Sequence, residues 1–255
     1  MRRANCVPRA EWTSLPADPP GGIVLLTRPL ADSRRVAAAL AAHGIATAIW
    51  PLTRIVPAPG PIAIAPGTTG LVFTSQNAVE AFAGLSPDRT LRAWCVGDRT
   101  ADAARRAGFA NVVSAAGDVQ ALAGKLAALA PTRLLYLRGD HVSTDLGALL
   151  DGTGHTLDSQ VVYTAQAGDP PGPDIAALLA RGQIGTIAVW SRRAAQFLAR
   201  AVAKNTAWQT ARITLVAISN RAAGPLREHG FARISIPDRP DGPAMEQAIL
   251  AAVRQ

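Results

Sequence analysis

The sequence predicts an α/β fold class in which two doubly wound, mostly parallel-sheet domains, one of them discontinuous, are joined by a two-stranded β-ladder linker. Three observations lead to this prediction. A unit of strand, turn, helix and strand recurs along the chain, matching units follow one another in the same order in both halves, and two Pro- and Gly-rich connections separate the halves. Alternating strands and helical segments are typical of parallel sheets that have helices on both faces.

The first unit begins at residue 23. An apolar strand at 23–26 meets the turn Thr27-Arg28-Pro29, and a helix with apolar residues at helical spacing follows. Gly44 closes this helix as a glycine just beyond a helix end does, and a second strand at 45–50 ends at a proline. Strand, helix and strand in this order predict a parallel crossover.

Two further pairs of segments match across the halves. Residues 93–115 and 215–237 each predict a strand, a turn, a glycine-closed helix and a strand, while residues 70–85 and 185–201 each predict a strand that ends in serine and continues into an amphipathic helix. The offset is 116 residues for the paired serines and 122 for the paired closing glycines. Any doubly wound protein repeats strand, turn and helix, but the paired order and near-constant offset favour two copies of one unit.

The domain organisation follows from these pairs. If the first unit belongs with the C-terminal copy, the chain crosses between the domains twice, and the two connecting segments can pair as a ladder. The predicted parts are a flexible N-terminal extension at 1–22, a discontinuous domain at 23–52 and 166–255, an inserted domain at 55–162, and linkers near 53–54 and 163–165.

Composition excludes several classes of protein. No apolar run reaches the roughly 20 residues of a membrane span, so no membrane partner is expected. The net charge of +8 favours anions, but only two of the 26 basic residues are lysine and no basic run exceeds two residues, so no nucleic-acid partner is expected either. Two cysteines form no disulfide framework, no Cys/His cluster has metal-ligand spacing, and no signal peptide is recognised, which favours the cytoplasm.

Turns at the predicted carboxyl ends of strands hold the candidate binding groups, because ligands of doubly wound sheets bind there. Residues 74–77 and Ser191 stand at predicted helix N-termini, where N–H groups and the helix dipole favour an anion. Capping alone also explains Ser and Asn at such positions, so both interpretations stand. The candidate contacts are Arg28, Thr74, Ser75, Gln76, Asn77, Gly97, Thr100, Arg138, Gly139 and Ser191.

Tyr163 is one of only two tyrosines and lies in the predicted connecting strand 160–165. Strand alternation places Tyr163 on one face with Val161, and Val162 and Thr164 on the other. A tyrosine in a strand is most often a packing residue, so composition alone does not assign it a chemical role.

From Gly22 to the C-terminus the chain resembles uroporphyrinogen-III synthases. The resemblance rests on the order and spacing of seven segments: LLTRP, FTSQNAV, VGDRTADAARRAGF, LLYLRGD, VVYTAQ, AVWSRRA and LVAISNRAAGPLREHGF. It implies a cofactor-free, metal-free, monomeric enzyme with two α/β domains and an active site in the cleft between them. The implied substrate is hydroxymethylbilane, a linear tetrapyrrole with eight carboxylates, which the family closes to uroporphyrinogen III with inversion of ring D.

The resemblance also implies residue roles. Tyr163 matches the family tyrosine that assists loss of the terminal hydroxyl as water. Thr74, Ser75, Thr100 and Ser191 match hydroxyl positions of the family's cleft.

Two segments depart from the family pattern. Where the family often has Gly-Pro-Thr-Thr before the last helix, this chain has Ser219-Asn220-Arg221-Ala222, which leaves Ser219 and Arg221 as candidate anion contacts. After Arg138-Gly139, the usual basic-acidic continuation is replaced by residues 141–145.

A second hypothesis fits the same architecture. A two-domain protein that binds a small anion or a sugar, without catalysis, would share the two crossings and the N–H-rich turns.

Overall fold

A computed structural model describes residues 21–142 and 144–254. Residues 1–20 of the predicted N-terminal extension lie outside the described residues. The described chain divides into two compact units. The outer unit contains the residues up to Arg54 and those from Ala167 onwards, and the inserted unit contains Ile55–Gln166.

Strands and helices alternate along most of the chain. In chain order the elements are β1 (Ile23–Leu26), α1 (Leu30–Ala41), β2 (Thr47–Ile49), β3 (Thr53–Pro57), β4 (Thr68–Phe73), α2 (Gln76–Leu85), β5 (Arg92–Cys95), α3 (Asp98–Arg106), β6 (Val112–Ser114), α4 (Val119–Ala127), β7 (Arg133–Gly139), α5 (Leu146–Leu149), β8 (Thr156–Ala167), α6 (Pro173–Ala180), β9 (Ile184–Val189), α7 (Arg192–Lys204), β10 (Thr214–Ala217), α8 (Asn220–Ala223), β11 (Arg233–Ser235) and α9 (Gly242–Val253).

The outer unit is built on a five-stranded sheet in the order β11-β10-β9-β1-β2, and every neighbouring pair is parallel. In β1, Ile23 and Leu25 pack in one buried cluster while Val24 and Leu26 pack in another. Side chains of a strand alternate between the two faces, so both faces of this sheet are covered. Each such side chain contributes about 1.5–3 kcal/mol through its burial.

The inserted unit contains a six-stranded sheet in the order β3-β8-β7-β4-β5-β6, in which the strands from β4 to β8 pair in parallel. The two sheets confirm the predicted α/β class. Ala58 N donates to Val162 O, and Gly168 N donates to Leu52 O. Residue numbers therefore rise along β3 while they fall along β8, so the two strands are antiparallel. The ladder predicted for the two connections is this pair, and it forms the edge of the sheet rather than a separate ribbon.

Glycines end the helical segments where the sequence pattern predicts them. Gly108 and Gly230 both have positive φ, at 96° and 69°, a region that glycine enters without the steric cost of a Cβ. The continuous helix predicted before Gly230 is wrong, because α8 ends at Ala223 and a 3-10 turn at Gly224–Leu226 follows. Pro225 lacks the N–H that an α-helical bond needs.

Among the helices that the structure describes, none combines the length and the apolar character that crossing a membrane requires.

Candidate active site

The N-terminus of α2 lies at the carboxyl end of β4. Ser75 is the N-cap, and its Oγ accepts a hydrogen bond from Ala78 N at 3.1 Å. Thr74, Ser75, Gln76 and Asn77 are all half-buried. The predicted capping role of Ser75 is therefore confirmed. The backbone N–H groups of Gln76 and Asn77, in the first turn of α2, have no acceptor within the helix, as at any helix start.

The phenol of Tyr163 meets this helix start. Tyr163 Oη lies 3.1 Å from Ser75 Oγ, and either hydroxyl can be the donor. The two residues are 88 positions apart in sequence and are brought together by the sheet order β8-β7-β4. Ser75 thus serves two partners, the α2 backbone and the Tyr163 phenol.

A β-bulge in β8 directs the Tyr163 side chain. Arg138 of β7 lies opposite Val161, and the next residue of β7 lies opposite Tyr163, so Val162 is an extra residue on β8. Val162 and Tyr163 both pack against the core cluster around Phe82. The predicted alternation, which placed these two side chains on opposite faces, is wrong, because a bulge resets the alternation by one residue.

Gly139 makes room for the Tyr163 ring. A Cβ at Gly139 would lie 2.7 Å from Tyr163 Cζ and 2.9 Å from its Oη, closer than such atoms approach in proteins. The backbone of Tyr163 is also held, since Asp140 N donates to Tyr163 O at 3.1 Å. Gly139 therefore contributes through its lack of a side chain. Its position opposite Tyr163 follows from the register of β7 against β8, which the sequence does not give.

Tyr136, the other tyrosine, is the residue that sequence reasoning missed. Its Oη lies 2.9 Å from Thr74 Oγ1, and the residue is only 5% exposed. Burial raises the pKa of Tyr136, and the hydrogen bond with Thr74 opposes part of that rise. The available signal was a phenol within the apolar segment LLYL, because a buried tyrosine hydroxyl usually has a partner.

Arg138 lies beside this cluster and is half-buried. Its Nε donates to Ser159 Oγ at 2.8 Å and its Nη1 donates to Gly139 O at 3.0 Å. Neither of these partners is a carboxylate, so they leave the positive charge of Arg138 unneutralised. A guanidinium held in this way suits a carboxylate ligand.

The other predicted contacts of the inserted unit lie at the start of α3. Gly97 is the N-cap and offers no side-chain bond, while Thr100 is buried in the first helical turn. The structure thus places both residues at the carboxyl end of β5, which neighbours β4.

Arg28 follows β1 in the outer unit. Its Nη2 donates to Asp32 Oδ2 at 2.7 Å, and its guanidinium lies 5.5 Å from the centre of the Trp190 ring. Burial lowers the pKa of Arg28. Because Asp32 already neutralises part of its charge, Arg28 is a weaker anion site than Arg138.

Three more predicted contacts lie at helix starts of the outer unit. Ser191 caps α7 through Ala194 N at 3.1 Å, and Ser219 caps α8 through Ala222 N at 3.3 Å. Ser191 and Arg221 are exposed. Capping accounts for the position of both serines, and the sequence alternative of an anion contact stays a prediction.

Known proteins share this fold and these sequence patterns. The family model described as uroporphyrinogen-III synthase HemD matches residues 34–247. The chain belongs to the uroporphyrinogen-III synthase family. This confirms the predicted family and assigns the chain to the cyclising lyases of tetrapyrrole biosynthesis.

Solved structures of uroporphyrinogen-III synthases are similar to the chain. The synthetase from Helicobacter pylori has 18% sequence identity and a TM-score of 0.60, over 90% of this chain and 99% of that one. A mutant synthase from the extremely thermophilic bacterium Thermus thermophilus has 18% identity and a TM-score of 0.47, over 91% of this chain and 99% of that one. A search of curated proteins found no match.

Proposed function

We propose that this member of the uroporphyrinogen-III synthase family closes hydroxymethylbilane to uroporphyrinogen III with inversion of ring D, and that Tyr163 is the proton donor. The contact between Tyr163 Oη and Ser75 Oγ at the start of α2 carries the proposal. It supplies a phenol, a hydroxyl that can donate to the phenol, and a helix N-terminus, all within one unit.

The first chemical step is loss of water. The pyrrole nitrogen pushes electrons towards the hydroxymethyl carbon, the C–O bond breaks, and the hydroxyl takes the Tyr163 proton and leaves as water. The product is an azafulvenium ion on ring A, and the substituted α carbon of ring D attacks its exocyclic carbon to give a spiro intermediate. The bond between ring D and the methylene of ring C then breaks, which leaves an azafulvenium on ring C, and the free α carbon of ring D attacks it. Ring D becomes aromatic again by losing its proton from that carbon, and this proton restores the phenol of Tyr163.

Ser75 and α2 stabilise the phenolate that forms. The Ser75 hydroxyl can donate to Tyr163 Oη while its oxygen still accepts from Ala78 N. The positive end of the α2 dipole acts in the same direction. The proton is therefore given up in a place where the resulting negative charge has a donor and a favourable dipole.

The carboxylates of the substrate need cationic and N–H partners. We assign this role to Arg138 and Gly139, to the first turns of α2 and α3 with Thr74, Gln76, Asn77, Gly97 and Thr100, and to Arg28, Ser191, Ser219 and Arg221. Backbone N–H groups at helix starts and forked guanidinium donors are suited to carboxylates. Holding a flexible chain in the reactive geometry is the larger part of the catalytic task.

We also propose that the enzyme works as a cytoplasmic monomer without a cofactor or a nucleic-acid partner. The scattered arginines, with no basic run longer than two residues, support the last point. Light scattering during gel filtration measures the oligomeric state directly.

Product analysis tests the proposed function. With hydroxymethylbilane, the purified protein should give the type III isomer faster than the type I isomer forms spontaneously. Formation of type I alone would refute the enzyme and would favour a binding protein, which titration with small anions, sugars and a linear tetrapyrrole would then identify.

A further inference from the structure

Both tyrosines of the chain meet one dipeptide. Tyr136 Oη lies 2.9 Å from Thr74 Oγ1, and Tyr163 Oη lies 3.1 Å from Ser75 Oγ. The chain has two tyrosines in 255 residues. At the start of α2, each of the two consecutive hydroxyl side chains, Thr74 and Ser75, is therefore within hydrogen-bonding distance of one tyrosine hydroxyl.

The direction of the Tyr136 hydrogen bond follows from burial. Tyr136 is 5% exposed, and Thr74 Oγ1 is the hydrogen-bond partner that the described residues offer to its hydroxyl. Burial raises the pKa of Tyr136, so the phenol keeps its proton. A buried O–H that is left unpaired is costly, so Tyr136 donates and Thr74 accepts.

This direction leaves the Thr74 proton available. A threonine hydroxyl has one hydrogen and two lone pairs, and Tyr136 occupies one lone pair. Thr74 is half-buried and immediately precedes the N-cap of α2, so its proton lies among the donors of the helix start. Ser75 differs, because its oxygen already accepts from Ala78 N and also contacts Tyr163.

We infer that Tyr136 is a positioning residue, which fixes Thr74 as a hydrogen-bond donor to a carboxylate of the substrate, while Ser75 serves the proton donor Tyr163. This inference rests on the proposed function. The two hydroxyls then have separate tasks: Thr74 binds, and Ser75 supports the chemical step. Interactions that are equal in the ground state and the transition state change KM, whereas those of the chemical step change kcat.

Four variants test the inference in steady-state kinetics with hydroxymethylbilane. Tyr136→Phe keeps the ring and removes the donor, and should raise KM about 3-fold to 5-fold, the value of a hydrogen bond of ordinary strength, with little change in kcat. Thr74→Val should raise KM about 10-fold. The double variant should be no worse than Thr74→Val alone, because Tyr136 acts through Thr74. Thr74→Ser should restore most of the affinity.

A matched control separates the two tasks. Tyr163→Phe should lower kcat and leave KM within about 2-fold. Additive effects of Tyr136→Phe and Thr74→Val, or an unchanged KM in Tyr136→Phe, would overturn the inference while the wild type still forms the type III isomer. Failure of the wild type to form type III would instead overturn the proposed function.

A second measurement needs no change at Tyr136. Labelling with 3-fluorotyrosine gives one ¹⁹F signal for each tyrosine, and Tyr163→Phe assigns them. Thr74→Val should shift the Tyr136 signal and leave the Tyr163 signal in place. A Tyr136 signal that does not respond to Thr74→Val would contradict the hydrogen bond on which the inference depends.

Discussion

Gly139 and Tyr163 show how a site can depend on one side chain and on the absence of another. The ring of Tyr163 lies where a Cβ of residue 139 would be, and its hydroxyl then reaches Ser75. The family resemblance identifies Tyr163 and Gly139 from the sequence. Their contact depends on a bulge in β8 that period-2 alternation does not predict, whereas Tyr136 meets Thr74 through the pairing of β7 with β4.

Replacement of Gly139 should displace the Tyr163 ring. Gly139→Ala should lower kcat to a level near that of Tyr163→Phe, because the added Cβ would stand 2.7 Å from Tyr163 Cζ. The control is Gly124→Ala in the interior of α4, where a Cβ meets no atom within 4 Å. That change should keep activity and add about 0.5–1 kcal/mol of stability. Unchanged kcat in Gly139→Ala would argue against the assigned position of Tyr163.

Loss of the Tyr163 hydroxyl should slow turnover without stopping it. Tyr163→Phe should lower kcat by about 10-fold to 100-fold, at or below the usual contribution of general acid catalysis, because the pyrrole nitrogen already expels the hydroxyl. Thermal unfolding should change little, since the ring still packs against the core around Phe82. Quenched-flow measurement of product isomers gives the rate, and wild-type turnover in the variant would remove Tyr163 from the chemical step.

At the scale of elements, helix starts combine folding and function. Ser75, Ser191 and Ser219 all cap helices with the same geometry, each accepting from the N–H three residues later. The sequence predicts capping as one of two interpretations for Ser75 and Ser191, because serine before a helix often accepts from a first-turn N–H, whereas it predicts Ser219 only as a candidate anion contact. It does not predict which cap also contacts a reactive side chain, since that depends on strands distant in sequence.

Removal of the Ser75 hydroxyl should therefore have two effects. Ser75→Ala should cost about 1 kcal/mol of stability through the lost cap, and should also lower kcat because Tyr163 loses its partner. Asp118→Ala is the control, since Asp118 Oδ1 caps α4 by accepting from Ala121 N at 3.0 Å. It should show a similar stability loss with normal kcat. Equal kcat in the two variants would reduce Ser75 to a structural role.

At the scale of the whole molecule, helices that cover both faces of a sheet affect the reactivity of buried side chains as well as the stability of the fold. Cys95 lies on β5 in the core of the inserted unit and is fully buried. Burial raises its pKa to about 12 against the opposing charge of Arg105. The apolar segment AWCV predicts this inert thiol from the sequence, because nothing near it in the chain would favour a thiolate.

Cys95 should make stability depend on pH in the alkaline range. A thiol whose pKa is higher in the folded state contributes stability below the unfolded pKa of about 9, and this stability is lost as the pH rises towards 12. Urea unfolding should therefore give a free energy of unfolding that falls more steeply between pH 8 and 11 in the Cys6→Ser variant than in the Cys6→Ser/Cys95→Ala variant. Iodoacetamide should label Cys95 only after the inserted unit opens. Rapid labelling of the native protein at pH 8 would contradict this burial.

The order of the outer sheet has a consequence for biosynthesis. β1 lies between β2 and β9, yet β9 follows the entire inserted unit in the chain. A ribosome thus completes β4 to β8 while β1 still lacks one hydrogen-bonding neighbour and part of its cover. Domains generally fold as units during synthesis, so the inserted unit has the first opportunity to fold. One edge of this apolar early strand therefore stays without its hydrogen-bonding neighbour until the last third of the chain emerges.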